Sequence, residues 1–339
     1  SDNERDWEVD CDLVSAAAQS PTTTGSIDTC GSMTANFGKS VPGASYDPEL
    51  LTGWGNRLYN WEFAVGVQRE LTPKLSIDAG YYRRIFGNFQ ATDNLAFSAS
   101  DFDAYSIVVP GNPTPGAAQL PNVGETITGF YNIKPEVAGR AFNNYNTLAS
   151  NYGKQTEHWN GYDVTLTARL TNLTLAGGFS SGSLMTDSCE ISAALPEILA
   201  GATAASLSTT VTPQAFCHQE EPFLTDARFQ GIYRIPKIDV QVAGTYQSVP
   251  GPKVLANYTA TSAFLQPFLG RPLAAQATSQ TINLLIPNSE YGERVNQIDV
   301  RVSKIFRMGG ARRLLAGVDI YNPTNADTVL APNNTYTSN

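Results

Sequence analysis

Four times along the chain, two segments that alternate apolar and polar residues flank a very short turn, and each pair is separated from the next by a long stretch rich in Gly, Pro, Ser, Thr and Asn. In the first copy, from Leu58 to Phe86, Tyr59, Trp61, Phe63, Val65 and Val67 alternate with Asn60, Glu62, Ala64, Gly66 and Gln68. A period of two places the first set on one face of a strand and the second on the other. Leu71-Thr72-Pro73-Lys74 turns the chain, and Leu75, Ile77, Ala79 and Tyr81 return against Ser76, Asp78, Gly80 and Tyr82.

The second copy spans Gly161 to Ser181, with Tyr162, Val164, Leu166, Ala168 and Leu170 on one face, a turn at Thr171-Asn172, and a return through Leu173, Leu175, Gly177 and Phe179. The third runs from Ala227 to Ile235, turns at Pro236-Lys237 and returns through Ile238, Val240, Val242, Gly244 and Tyr246. Proline suits a turn because it cannot donate to a ladder. The fourth passes Ile298, Val300 and Val302, turns at Met308-Gly309-Gly310 and returns through Leu314, Ala316, Val318 and Ile320. Short turns at one end and long loops at the other are the pattern of a transmembrane β-barrel. The expected fold is therefore all-β: an antiparallel up-and-down transmembrane barrel segment of about eight strands in four hairpins, with long extracellular loops.

Composition permits this without requiring it. The 339 residues could bury a large core, and the mean hydropathy of -0.20 resembles that of a soluble protein. Barrel strands escape hydropathy analysis because half of each strand faces away from lipid. A formal charge of -9 argues against a nucleic-acid partner, which needs clustered Lys and Arg. The four cysteines fall in two local pairs, Cys11 with Cys30 and Cys189 with Cys217, each inside a long loop. They read as two disulfides formed in an oxidising compartment.

The long segments are residues 87 to 160, 182 to 222 and 248 to 290, preceded by 1 to 57 and followed by 322 to 339. All fall on the side opposite the tight turns, as do both cysteine pairs. Outer-membrane barrels put such loops outside the cell. The expected organisation is thus an extracellular loop with a disulfide over 1–57, strands and extracellular loops over 58–321, and a further extracellular loop over 322–339. The chain would then begin and end outside, without a closing strand, as a piece of a larger barrel would.

Several segments carry a resemblance. Tyr59-Asn60-Trp61-Glu62-Phe63 with Gly66-Val67-Gln68, Asp78-Ala79-Gly80-Tyr81-Tyr82-Arg83-Arg84, and Asn151-Tyr152-Gly153-Lys154 with His158-Trp159-Asn160-Gly161 are similar to Oar-like TonB-dependent outer-membrane receptors. So are Tyr291-Gly292-Glu293-Arg294 with Asn296-Gln297-Ile298-Asp299, Lys304-Ile305-Phe306-Arg307, and Asp319-Ile320-Tyr321-Asn322. This family, also described as carboxypeptidase-regulatory-like-domain proteins, implies a barrel of about twenty-two strands with a plug and an energy-coupling segment ahead of it. The chain corresponds to the last third of such a barrel. The resemblance implies an uptake receptor of the bacterial outer membrane, with membrane lipid, the plug and remaining strands, an energy-coupling protein and an unidentified extracellular ligand as partners. The alternative is a surface-exposed structural or adhesive β protein forming a layer or filament.

Candidate sites follow from the strand phase. Trp61, Phe63, Val65, Val67, Val164, Leu166, Val240 and Val242 are expected to face lipid. Asp78, Asp163, Arg169, Asp239, Asp299 and Arg301 are expected in the lumen as charge pairs that hold strands in register; Arg83 is assigned to the same polar phase. Tyr59, Trp61, Tyr81, Trp159, Tyr233, Tyr246 and Tyr321 fit interface girdles. In the opening run, Asp2, Asp6, Asp10 and Asp12 read either as a structural calcium site, since that ion takes carboxylate oxygens, or as a solvated acidic loop. No other cofactor is expected. The chain has no His-Glu-x-x-His and no phosphate loop, and no catalytic residue is assigned.

Overall fold

The computed structural model describes residues 43–112, 119–203, 207–310 and 312–337. Everything below lies in the unit Tyr46–Asn339. It is all-β in the main, built on antiparallel pairing.

Eight long strands form one sheet: β1 (Tyr59–Thr72), β2 (Leu75–Gly87), β3 (Thr156–Arg169), β4 (Leu173–Asp187), β5 (Leu224–Ile235), β6 (Val240–Val249), β7 (Val295–Arg307) and β8 (Arg313–Tyr321). Each pairs antiparallel with its neighbour in sequence, so the sheet is an up-and-down meander of the four expected hairpins. A short strand, His218–Glu220, lies along the upper part of β4. Among the described residues β1 and β8 pair with nothing on their outer edges, and the sheet is open.

The turns are short for local reasons. Between β5 and β6 the chain reverses over Pro236–Asp239, with Lys237 and Asp239 at positive φ. Ile238 therefore lies in the turn and not, as its phase suggests, at the start of the returning strand. Gly309 and Gly310, at φ 84° and 60°, make the last reversal, which few other residues would tolerate.

The strands are staggered. The row of opposed residues that starts at Leu75, the first residue of β2, passes through Ala168, Leu175, Gly231, Gly244 and Val300 to Ile320. Ile320 is the seventh residue after the start of β8. The ladder thus climbs seven residues away from the turns over six strand-to-strand steps.

The hydrophobic core is not on this sheet. It lies in the long connections, which fold into a cap with small strands and helices of their own. The largest buried cluster joins Ile107 and Phe130 of the first connection to Val211 and Phe216 of the second and to Leu265, Ile282 and Leu284 of the third. Polar ties reinforce it. Tyr105 donates to Gln280 at 2.8 Å, and Arg271 donates to Asp103 at 2.7 Å and to Asn132 at 2.8 Å. The chain's last described strand, Thr335–Tyr336, runs parallel to Asn257–Thr261 in the same cap. What reads in sequence as three separate loops is one folded layer. Among the described residues no helix is long and apolar enough to cross a membrane, a fact silent about strands.

Candidate functional site

The register assigns every strand residue to a face. Opposed residues share a face. Trp61, Phe63, Val65 and Val67 stand across from Ile85, Arg83, Tyr81 and Ala79; Val164 and Leu166 from Ala79 and Ile77; Val240 and Val242 from Ile235 and Tyr233. All eight residues expected to meet lipid therefore lie on one face. It continues through Val302, Val318 and Ile320 to the far edge. This face is open: Trp61 is 64% exposed, Val67 64% and Val318 65%.

The apolar band has a boundary. Above Tyr81, Tyr162, Phe179, Ala227, Tyr246 and Ile298, the next residue on the same face is Arg83, Asn160, Ser181, Thr225, Ser248 and Asn296. The apolar residue just below this polar step lies six to nine residues from its turn in each case, and above the step Ile85 and Met185 are the further apolar residues on this face of β2 and β4. The boundary follows the line of turns and crosses the hydrogen-bonded rows. The row through Val67, for instance, is apolar at Ala79, Val164, Phe179 and Ala227 and becomes polar at Ser248 and Asn296. At this line two tyrosines each donate a hydroxyl to the asparagine one level higher on the next strand, Tyr81 to Asn160 at 3.0 Å and Tyr246 to Asn296 at 3.1 Å. Lower down, Lys304 sits within the band and carries its ammonium to the carbonyl of Ile238 in the neighbouring turn, as a snorkelling lysine does.

The opposite face is polar. Asp78, Asp163, Arg169, Asp299 and Arg301 occupy it, opposite Gln68, Gly80, Thr174, Thr245 and Ala243 respectively. Arg301 reaches across to Asp319 at 3.6 Å, and Asp299 accepts from Gln297 and from the backbone of Asn322. Glu62 pairs with Arg84 across β1 and β2.

Four assignments need correction. Asp239 is not on a strand: it lies in the turn, gripped by Arg234 at 2.5 Å and Arg307 at 3.0 Å, and those two guanidiniums hold its carboxyl down to about 2. Arg83 stands on the apolar face opposite Phe63, at the band's upper edge, where it donates to Asn160. Trp159 and Tyr321 stand on the polar face, Trp159 opposite Arg84 and Leu184, and Tyr321 opposite Asp299. For the three strand residues, strict alternation from a neighbour overrides residue type, because one residue along a strand reverses the face.

The cap contributes two further features. The disulfide Cys189–Cys217 ties the short helix Cys189–Ala194 to the turn at Gln214–Phe216, with Cα atoms 4.8 Å apart, and Gln214 adds a bond to the Cys189 carbonyl at 2.9 Å. Sequence alone missed the second. Asn94, fully buried, accepts from the amides of Ala96 and Asn143 and donates to the Ala202 carbonyl at 2.8 Å, while its own amide meets the buried carboxyl of Glu197. Asp93 faces the same carboxyl and takes the hydroxyl of Tyr152 at 2.5 Å. Burial, with Asp93 adding to it, pushes Glu197 up to about 7.

Cys11, Cys30 and the acidic set Asp2, Asp6, Asp10 and Asp12 lie outside the described residues. Among the described residues no group of three or more His, Cys, Asp or Glu side chains is placed to hold a metal ion. No protein-family model matches the chain, and no curated protein matches it.

Proposed function

We propose that this chain forms an arc of the wall of an outer-membrane β-barrel, with its apolar face in lipid, its polar face toward the lumen and its cap outside the cell. The observation that carries this reading is the boundary of the apolar band. A face made to pack on another sheet or another subunit has no reason to end parallel to the turns while crossing the hydrogen-bonded rows; a face cut by a membrane surface does.

Two magnitudes support it. Seven residues of climb over six steps, at about 3.4 Å per residue and about 4.8 Å per strand, tilt the strands by about 40° if the turns lie in one plane. Transmembrane strands tilt by about 35 to 45°. The open apolar face, roughly eight residues tall and seven strand spacings wide, covers on the order of 900 Å². That exceeds the few hundred Å² a soluble monomer tolerates, and its burial is worth about 20 kcal/mol.

The unpaired edges of β1 and β8 fit further strands of the same barrel. Together with the resemblance to Oar-like receptors, they point to TonB-dependent uptake of an extracellular ligand, with a plug and an energy-coupling protein as partners, and to a transport role rather than a catalytic one. The test is flotation: the refolded chain mixed with phospholipid vesicles should rise with them through a density gradient. Leu166→Arg and Val242→Arg should remain at the bottom, whereas Thr165→Arg, on the other face, should float. Equal behaviour of all four proteins would sink the assignment.

A further inference from the structure

On the polar face just below the cap lies a recess bordered by Tyr82, Trp159, Asp163, Ser180, Gly182 and Asp226. It spans two adjacent rows of the sheet: Tyr82, Gly161, Gly182 and Leu224 stand opposite one another in turn, and one level lower do Gly80, Asp163, Ser180 and Asp226, with Gly161 and Gly80 themselves covered by rings. The space measures about 390 Å³. Trp159 lies over two of the glycines, since a Cβ at Gly161 would fall 2.0 Å from its Cη2 and one at Gly182 would fall 2.6 Å from its Cζ2. Tyr82 leans over Gly80, with its hydroxyl near Asp163.

Aromatic rings laid over glycines shield backbone, and that structural duty needs no carboxylates. Here two carboxylates flank Ser180 in the row beneath the rings, about 10 Å apart by strand spacing. Their counter-charge is thin. Arg228 meets Asp226 at 3.6 Å with its side chain 70% exposed, and Asp163 lies near the Tyr82 hydroxyl. The recess is therefore an acidic hollow under an indole, and its electrostatics select a cation. A small hydrated metal ion wants several oxygens converging on one point, and among the described residues no such group exists. A cation with an apolar shell is matched instead by a ring face together with flanking carboxylates.

We propose that this recess binds the quaternary ammonium head of a small organic solute, with Trp159 as the cation–π platform and Asp163 and Asp226 as its counter-charges. Its role as a station on an uptake route rests on the barrel reading above; the binding itself does not. The test uses the full refolded chain in detergent micelles with Trp7, Trp54 and Trp61 replaced by Phe, so that fluorescence reports Trp159 alone. Tetramethylammonium chloride is titrated against NaCl of equal ionic strength. A saturable change is expected with tetramethylammonium only, weakened roughly tenfold or more in Asp163→Asn and in Asp226→Asn. Calorimetry on Trp159→Ala should show no binding; if that variant does not fold, the Asp226→Asn result decides, because Asp226 covers no glycine. The same response to NaCl, an unchanged affinity in both Asn variants, or binding of maltose in place of tetramethylammonium would overturn the proposal. Because flotation with vesicles is measured separately, loss of this binding leaves the membrane assignment standing, and the reverse also holds.

Discussion

Glu197 is a carboxyl that the cap has removed from water. It is 2% exposed and faces Asp93, and burial raises its proton affinity to a midpoint of about 7 from the ordinary 4.5. The sign follows. Below 4.5 the group is protonated in both folded and unfolded chains, whereas between 4.5 and 7 the unfolded chain ionises while the folded one resists, so stability falls as pH rises through that window. The loss amounts to about 3 kcal/mol by pH 7.5. Glu197→Gln should flatten the dependence, and melting temperatures of the two proteins from pH 4 to 8 would measure it. A wild-type curve as flat as the variant's would remove the effect. Gly177 makes a different residue-scale prediction. A Cβ there would lie 2.2 Å from the ring of Phe229 and 2.7 Å from the Arg228 carbonyl, so Gly177→Ala should cost about 1 to 3 kcal/mol in a denaturant titration.

At the level of elements, the disulfide and the hairpins do separate jobs. Cys189–Cys217 closes a loop with a sequence separation of 28, worth roughly 3.5 kcal/mol on the chain-entropy account. Its reduction should release amide protons of the helix Cys189–Ala194 to hydrogen exchange while those of β1 and β2 stay protected. The strands were readable because period two needs only local order, and two of the four short turns carry turn residues of their own, Pro236 in one and Gly309 and Gly310 in the other. The cap was not readable. Its strands are short and polar, such as Gln90–Asn94 and Asn144–Leu148, and what defines them is contact between distant residues, Arg271 with Asp103 and Tyr105 with Gln280. No local pattern announces such pairings. The recess was partly readable, since Trp159 and Asp163 share a phase, but the register that sets Asp226 beside Ser180 required the sheet.

For the molecule as a whole, the order of parts is unusual for a globular chain. Among the described residues, the sheet with its one apolar face contributes nothing to the buried hydrophobic clusters, which are made of its connections. In water such a sheet would present its open face to aggregation; in a bilayer the same face would be satisfied, while the cap keeps a core of its own. The chain supplies native reporters for this claim, Trp61 on the apolar face and Trp159 on the polar one. In vesicles made with lipids brominated along the acyl chain, a variant keeping Trp61 alone should lose most of its fluorescence, and one keeping Trp159 alone should retain it. If Trp61 is quenched no more than Trp159, the apolar face does not lie in lipid and the account fails.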